Sequence, residues 1–498
     1  MGRCRHGCGG GAVIALTTRH VARSRVLVAA IFALAGCGLS TPARAPGTTP
    51  APDPTPRTST SAAPTTTIGL VAATTPSCPQ LPERARPSAD RPRYSIRASV
   101  DPGVNTVNGE LSVIFTPDLD TDRLILRLWP NGPRSNNRGA RLDTGIATVD
   151  GAVAASIQSD PTTLVIGEGM RFPASRPVRV AMTWSLVLPE GANDRVSRQD
   201  ESVRLGSFYP ILAWEPGFGW VTDPPTSGFA EASTAVVADF SLTVDAPPGF
   251  EVLASGVRDA PNHWTATAMR DVAVSVGRFT LVSARAQAPD PVEVTVGVHG
   301  GGGEAPRLAA DAYLRRVVVV LENFANRFGP YPWPTFTLAI TPGLGGGIEY
   351  PGHVMQGPGT LARTTSHEVG HQWFYGLVGN NQGRDPWLDE GLATWTEWRA
   401  ENTLATGVQT VIPVSGRRRL AEPMTYWDAH PGDYFRSVYT QGAQSLASLG
   451  DPDLVDCALR IFVAVNAHRI ARPADFVKAA HAVFPDAPAR LAAYGIEP

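Results

Sequence analysis

The stretch His367-Glu368-Val369-Gly370-His371, with eighteen residues between it and Glu390, governs the interpretation of the second half of the chain. Residues four apart on an α-helix lie on one face about one turn apart, so both imidazoles can reach one metal ion. Glu390, from a following helix, would leave the fourth coordination position open, as catalytic zinc sites require. We therefore predict that His367, His371 and Glu390 bind one Zn²⁺ and that Glu368, on a neighbouring face, is the general base. A helix with two surface histidines is the alternative.

Two further carboxylates lie close to these ligands in the sequence. Asp389 and Glu397 are possible hydrogen-bond partners of the ligating imidazoles. Solvated carboxylates are the alternative for both.

The composition is that of an ordinary globular protein. The chain has 498 residues, of which 43% are hydrophobic, so about two to four domains with large cores are possible. Basic and acidic residues nearly balance, 43 against 45, and the short run Arg417-Arg418-Arg419 is typical of a solvated surface patch. No field of one sign would attract nucleic acid, so we predict no such partner. The oligomeric state stays open.

Residues 1–36 resemble a bacterial lipoprotein signal peptide. Arginines at 19, 23 and 25 precede an apolar run at 26–33, which is too short to span a bilayer as a helix. The run is followed by Leu34-Ala35-Gly36-Cys37, which resembles a lipobox. We therefore expect Cys37 to be acylated and to anchor the chain at the extracytoplasmic face of the cell membrane. An ordinary signal peptide of a secreted protein is the alternative, and the true translation start stays open.

The cysteine count predicts one disulfide. Cys4 and Cys8 would leave with the signal peptide and Cys37 would take the lipid, so Cys78 and Cys457 remain as an even pair in an exported protein. We predict that these two are joined, which would tie the start of the folded part to the C-terminal helices. Two free buried thiols are the alternative.

The folded part is expected to begin with strands. Residues 37–77 are mainly Ala, Pro, Thr and Ser, which predicts an extended tether. Residues 78–299 alternate apolar and polar side chains, as at Leu111, Val113 and Phe115, between clusters of turn residues. This pattern predicts an N-terminal β-sandwich domain, whose role is to support the molecule and form one wall of a substrate cleft.

Residues 300–498 change from strand to helix periodicity and are expected to form a second, mainly helical domain. A glycine run at 300–303 marks the boundary. The predicted elements are a strand at 335–340 and helices at 308–328, 362–378, 389–403, 437–449, 453–467 and 473–483. The fold class is therefore α+β.

Three ordered motifs resemble the M1 family of gluzincin aminopeptidases. The pattern His-Glu-x-x-His, eighteen residues, Glu is met in full. Upstream, Gly346-Gly347-Ile348-Glu349-Tyr350-Pro351 resembles the family's Gly-Ala-Met-Glu-Asn strand, and downstream Val438-Tyr439-Thr440-Gln441-Gly442-Ala443 resembles its Tyr-Glu-Lys-Gly-Ala segment. The resemblance covers roughly residues 78–498. It implies a β-domain followed by a thermolysin-like domain, and a zinc-dependent peptidase that releases N-terminal residues from peptides.

The resemblance also implies roles for individual residues. Glu349 would hold the substrate's α-amino group, because a carboxylate paired with an ammonium fixes the distance to the scissile bond. Tyr439 would donate its hydroxyl to the oxyanion of the tetrahedral intermediate. Gly346 and Gly347 would let the substrate backbone approach closely.

The chain departs from the family pattern in sequence and in length. Tyr350 replaces the usual asparagine and Gln441 the usual lysine. Only 59 residues follow Tyr439, so we expect no large C-terminal helical domain and a more open cleft. An endopeptidase or another zinc hydrolase on this scaffold is therefore an alternative function. A non-catalytic envelope lipoprotein with a structural metal site is another.

Overall fold

Buried and exposed side chains alternate along the strands of the first part of the fold, as the period-two pattern predicts. The computed structural model describes residues 76–228, 234–300 and 304–497. Along Val178–Val187, every second side chain is buried and the others are exposed or half-buried. The predicted signal peptide, the tether and the acylation site Cys37 lie outside the described residues.

The described residues up to 277 form nineteen strands and one short α-helix. In chain order, these elements are β1 (Arg93–Ser99), β2 (Thr106–Phe115), β3 (Leu124–Arg127), α1 (Pro133–Asn136), β4 (Arg141–Thr144), β5 (Thr148–Val149), β6 (Ala152–Val153), β7 (Ser156–Asp160), β8 (Thr163–Ile166), β9 (Val178–Val187), β10 (Val196–Gln199), β11 (Ser202–Leu205), β12 (Ile211–Leu212), β13 (Trp214–Glu215), β14 (Gly219–Trp220), β15 (Ala238–Asp245), β16 (Glu251–Ala254), β17 (Val257–Ala260), β18 (His263–Met269) and β19 (Val274–Gly277). A 3₁₀ turn, Trp129–Asn131, precedes α1.

These strands form one large sheet and several smaller ones. The nine-stranded sheet has the order β17-β18-β15-β1-β2-β9-β5-β6, with β4 also on β9. Strands β2 and β9 pair antiparallel from Thr106↔Val187 to Phe115↔Val178, while β1 runs parallel to β15. Two four-stranded sheets follow the orders β10-β11-β19-β16 and β12-β3-β8-β7. The predicted β-rich N-terminal region is thus confirmed.

The rest of the described chain is largely helical. Its elements are β20 (Phe279–Gln287), β21 (Pro291–His299), α2 (Glu304–Phe328), β22 (Thr335–Ile340), β23 (Gly347–Tyr350), β24 (His353–Gln356), α3 (Arg363–Gly370), β25 (Gly379–Asn380), α4 (Trp387–Glu401), α5 (Leu404–Gly407), α6 (Met424–Ala429), α7 (Gln441–Ala447), α8 (Pro452–Asn466), β26 (Ile470–Ala471), α9 (Pro473–His481) and α10 (Ala487–Ala492). A 3₁₀ turn spans Val414–Gly416, and a π-helix spans Phe435–Thr440.

A five-stranded sheet joins the two parts of the chain. Its order is β20-β21-β22-β24-β23, and β21 pairs in parallel with β22. Strands on both sides of the predicted boundary at 299/300 therefore share hydrogen bonds, and the described residues belong to one compact unit. The division into domains stays a prediction, because a period-two pattern identifies strands without showing which sheet they join.

Two predicted helices differ from the structure. The helix predicted at 362–378 ends at Gly370, and the chain then turns, with Gly376 N–H donating to His371 O and Tyr375 at a left-handed φ of 121°. Apolar residues continue into the core beyond Gly370, so their spacing resembles a longer helix. The helix predicted at 437–449 is instead the π-helix followed by α7.

The structure contains the predicted disulfide. Cys78 is bonded to Cys457 of α8, and their Cα atoms are 5.9 Å apart. The start of the described chain is therefore fixed to the helical part, as the cysteine count predicts. In the described part of the chain, no helix combines the length and the apolar character that crossing a membrane would need.

Candidate metal centre

Helices α3 and α4 carry the three predicted ligands and pack closely. A Cβ at Gly370 would overlap Thr396 Oγ1, so glycine permits the close approach of the two helices. Likewise, a Cβ at Gly442 would overlap the Cα of Gly391, which brings α7 against α4. Two glycines at helix contacts therefore set the separation of the elements that build the site.

The three ligand atoms have the spacing of a tetrahedral metal site. His367 Nε2 lies 3.1 Å from His371 Nε2 and 3.1 Å from Glu390 Oε2, and His371 Nε2 lies 3.4 Å from that oxygen. Two ligands of a tetrahedral zinc ion, each about 2.0–2.1 Å from the metal, are about 3.3–3.4 Å apart. All three residues are buried. They therefore fit one zinc ion with a fourth position open.

The outer nitrogens of both imidazoles are fixed by oxygen atoms. His371 Nδ1 lies 3.1 Å from Phe374 O, and His367 Nδ1 lies 3.4 Å from Glu397 Oε2. An N–H at Nδ1 leaves the Nε2 lone pair free for the metal. The predicted contact of Glu397 is thus confirmed. Asp389 instead accepts from Gln382 Nε2 and from the backbone N–H of Glu390.

Two carboxylates next to the ligands have no hydrogen-bond partner on one oxygen each. Glu349 Oε1 and Glu368 Oε2 are buried and unpaired. Glu349, Glu368 and His371 each place one ligand atom within 4.8 Å of the others. Burial, with a smaller contribution from Glu349, raises the pKa of Glu368 to about 8. These oxygens are therefore available to an incoming molecule.

The two predicted glycines have different surroundings. A Cβ at Gly347 would overlap the carboxylate of Glu368. We expected this glycine to make room for the substrate backbone, and the structure shows that it makes room for the side chain of the predicted base. A Cβ at Gly346 would meet no atom within 4 Å. Gly346 lines the cleft and faces open space.

Tyr439 lies on the π-helix against the metal site. Its ring stacks on that of His367, with centroids 5.5 Å apart and planes 12° apart. Burial, followed by the charge of Glu390, raises the pKa of Tyr439 well above its ordinary value. The phenol therefore stays protonated and can donate. A π-helix is an uncommon element that often occurs at functional sites.

Comparison with known proteins identifies this region. Residues 317–429 match the peptidase family M1 domain. This segment of the chain is therefore similar to an M1 peptidase domain. Over 113 residues it is 30% identical to rat aminopeptidase B, and over 84 residues 34% identical to leukotriene A-4 hydrolase of Xenopus laevis. These matches cover 20% and 15% of this chain, and only 17% and 14% of the relatives' lengths.

The fold as a whole is similar to that of a solved M1 protein. An M1 zinc metallopeptidase from Deinococcus radiodurans superposes with a TM-score of 0.61 at 18% identity. The likeness covers 83% of this chain and 95% of the other. At that identity the comparison shows the fold, which is a β-rich region followed by a largely helical one.

Both departures from the M1 sequence pattern are buried side chains that hold the structure together. The Tyr350 hydroxyl lies 3.4 Å from Arg195 Nη1 and 3.3 Å from Ser207 Oγ. Gln441 Nε2 donates to Gly416 O and Ser437 O. Neither residue lines the cleft at the candidate metal site.

The residues that the β-rich region contributes to the cleft were not predicted from the sequence. Asn193, Asp194 and Arg195 line this space of about 440 Å³ opposite the M1 motifs. Asn193 Oδ1 accepts the N–H of Gly345, 3.0 Å away, and so joins the two walls. These residues lie in a loop, far from the motifs in the sequence, and carry no motif of their own.

Proposed function

We propose that the chain is a zinc-dependent aminopeptidase that releases N-terminal residues from peptides. The observation that carries the proposal is the pair of buried, unpaired oxygens, Glu368 Oε2 and Glu349 Oε1, beside three ligand atoms with tetrahedral spacing. A structural metal site would need neither carboxylate. One of the two matched relatives, aminopeptidase B, is by its name a peptidase that acts at N-termini, which supports the same function. The other is leukotriene A-4 hydrolase.

Each residue of the site has one chemical task. When bound by His367, His371 and Glu390, zinc would act as a Lewis acid and make water acidic enough to ionise near neutral pH. Glu368 would accept a proton from the attacking water and return it to the leaving amine. Tyr439 would donate its hydroxyl to the oxyanion, where a donor is most valuable as charge develops.

Glu349 would determine which bond is cut. It is 4% exposed and directed into the cleft. A buried carboxylate with one unpaired oxygen can bind an ammonium group strongly, because that oxygen then gains a charged hydrogen-bond partner. Since Glu349 and Glu368 both lie within reach of His371, the bond next to the held amine would face the proposed base.

A peptide and its N-acetylated copy test both parts of the proposal. Wild type should cleave the free peptide and leave the blocked one intact. Glu368→Gln should lower kcat by about 10²–10⁴-fold, and Glu349→Gln should mainly raise KM for the free peptide. Equal rates for wild type and Glu368→Gln would sink the peptidase assignment. Equal cleavage of both peptides would instead favour the endopeptidase alternative and leave the zinc chemistry intact.

We also propose the finer features of the chain that the sequence suggests. These are a β-sandwich at 78–299, a thermolysin-like catalytic domain at 300–498, and a lipid at Cys37 that holds both at the extracytoplasmic face of the cell membrane. The lipobox resemblance supports the anchor. Detergent-phase partitioning of wild type and Cys37→Ser tests it, and equal partitioning of both would contradict the anchor.

A further inference from the structure

A second cavity lies away from the metal cleft, where the β-rich region meets the C-terminal helices. Its volume is about 530 Å³. Four arginines line it, namely Arg86, Arg91, Arg270 and Arg469. No residue of the predicted active site does so, and therefore the proposed peptidase chemistry does not account for this cavity.

Among the residues that the structure describes, Arg270 is a buried cation held only by neutral groups. Its guanidinium donates to Tyr375 O at 2.9 Å, to Ala235 O at 2.7 Å and to Arg469 O at 3.0 Å, and it is 2% exposed. These bonds use three of its five N–H groups. Burying a charge without an opposite charge is costly, so an anion beside Arg270 would be stabilised.

The groups around Arg270 indicate that the electrostatic potential in the cavity is positive. His468 lines the cavity, and its buried Nδ1 has no hydrogen-bond partner. Burial, and then the charges of Arg270, Arg84 and Arg91, lower the pKa of His468 to about 4, so the ring is neutral. Arg469 and Arg86 are exposed at the rim, and Arg86 pairs with the equally exposed Glu83, 3.5 Å away.

Most of the acidic groups around the cavity are already engaged. Asp118 accepts from Trp214 Nε1 and from Gly217 N–H, and Glu215 pairs with Arg472 at 2.6 Å. Arg91 is paired with Asp239 at 2.8 Å and so contributes less. Asp90 is exposed at the rim. The cations that line the cavity without an acidic partner among the described residues are therefore Arg270 and Arg469, and Arg86 pairs with the exposed Glu83. On the acidic side, Asp90 is exposed and Asp118 keeps its charge, bound by neutral donors.

Part of the cavity wall is apolar. Phe115 and Trp214 pack edge to face with centroids 5.3 Å apart, and both line the cavity with Val237. A ligand suited to this space combines a charged head near the arginines with an apolar body against these side chains.

We propose that this cavity binds a small organic anion that has a carboxylate or phosphate head and an apolar body. Such an occupant would contact Arg270, which also holds the carbonyl of Tyr375. Tyr375 lies in the turn that follows α3 and contains the Phe374 carbonyl beside His371. The site is thus next to the chain segment that orients one metal ligand.

Isothermal titration calorimetry on the full chain tests the proposal with benzyl phosphate, phenylacetate and benzyl alcohol. At least one of the two anions should bind once per chain with Kd below about 1 mM, and the neutral alcohol should bind far more weakly. Arg469→Gln and Arg86→Gln, both at exposed positions, should each weaken anion binding about tenfold, because each removes a charge-assisted hydrogen bond. Arg285→Gln, at an exposed strand position outside the cavity, is the matched control and should bind as wild type does.

The outcome that overturns the proposal is equally specific. Binding of equal strength in wild type and in the Arg86→Gln/Arg469→Gln double variant would place the anion elsewhere, for example at the metal. Equal binding of the alcohol and the anions, or no saturable heat from either anion up to about 10 mM, would remove the site. Heat of binding does not depend on turnover, so the result stands whether or not the chain is a peptidase.

Discussion

Replacing Glu397 by alanine should weaken zinc binding, although Glu397 is not a ligand. Its Oε2 lies 3.4 Å from His367 Nδ1 and holds that ring with Nε2 toward the metal position. His371 is oriented by the carbonyl of Phe374, which a side-chain substitution does not remove. The site therefore depends on one replaceable carboxylate for the orientation of one of its two imidazoles.

The size of the effect follows from that contact. A hydrogen bond to a charged group contributes about 1.5–3 kcal/mol, and 1.36 kcal/mol is one decade in affinity at 25 °C. At 3.4 Å the contact is long, so the lower end applies and the zinc Kd should rise by about tenfold. The Glu397 partner Arg363 is 75% exposed, so losing that pair should change stability little.

Competition with a fluorescent chelator measures the zinc Kd directly. Glu401→Gln is the matched control, since Glu401 lies one turn further along α4 and pairs with Arg316 and Ser366, away from the imidazoles. We expect Glu397→Ala to bind about tenfold more weakly, Glu397→Gln to lie between the two, and Glu401→Gln to match wild type. If Glu397→Ala held zinc as tightly as wild type, the orientation argument would be refuted.

Four further outcomes are expected. Tyr439→Phe should lower kcat by about 10²–10³-fold with little change in KM or zinc content, because the lost donor acts mainly in the transition state. A rise in KM of comparable size would instead indicate a role in substrate binding. In Gly442→Ala, the new Cβ would overlap the Cα of Gly391 and force α7 away from α4, which should lower both Tm and zinc affinity. An unchanged melting curve would contradict the close contact. Burial lowers the pKa of His353 to about 3, below the 6.5 of an exposed histidine, so the unfolded state takes up a proton first as the pH falls. This residue alone should therefore reduce the free energy of unfolding by about 2 kcal/mol between pH 7 and pH 5. His353→Gln should remove that part of the pH dependence, which urea titrations at several pH values measure. Cys78→Ala should lower the free energy of unfolding by about 2–5 kcal/mol, and wild type should show no titratable thiol from this pair without reductant.

Some features of the fold were predictable because their physics is local. Alternation predicted the β-rich region, since neighbouring side chains in a strand point to opposite faces. The extent of α3 was not predictable in the same way. Most residues at 371–378 are apolar and all are buried. They nevertheless form a turn, in which Gly376 N–H donates to His371 O and Val378 N–H donates to Trp373 O. Burial alone does not distinguish a helix from a packed turn.

The sequence by itself identified the three candidate metal ligands. Four-residue spacing on a helix places two imidazoles one turn apart whatever surrounds them, and this covalent and helical geometry holds in the structure. The disulfide between Cys78 and Cys457 was likewise predictable by counting cysteines.

Only the tertiary structure decided what faces those ligands. Packing brings the loop at Asn193 to the cleft and places Glu397 beside the outer nitrogen of His367. It also puts the Glu368 carboxylate against Gly347 and buries Arg270 among backbone carbonyls. These contacts join residues tens to hundreds of positions apart. Their partners are chosen by the way whole sheets and helices pack, which no short stretch of sequence encodes.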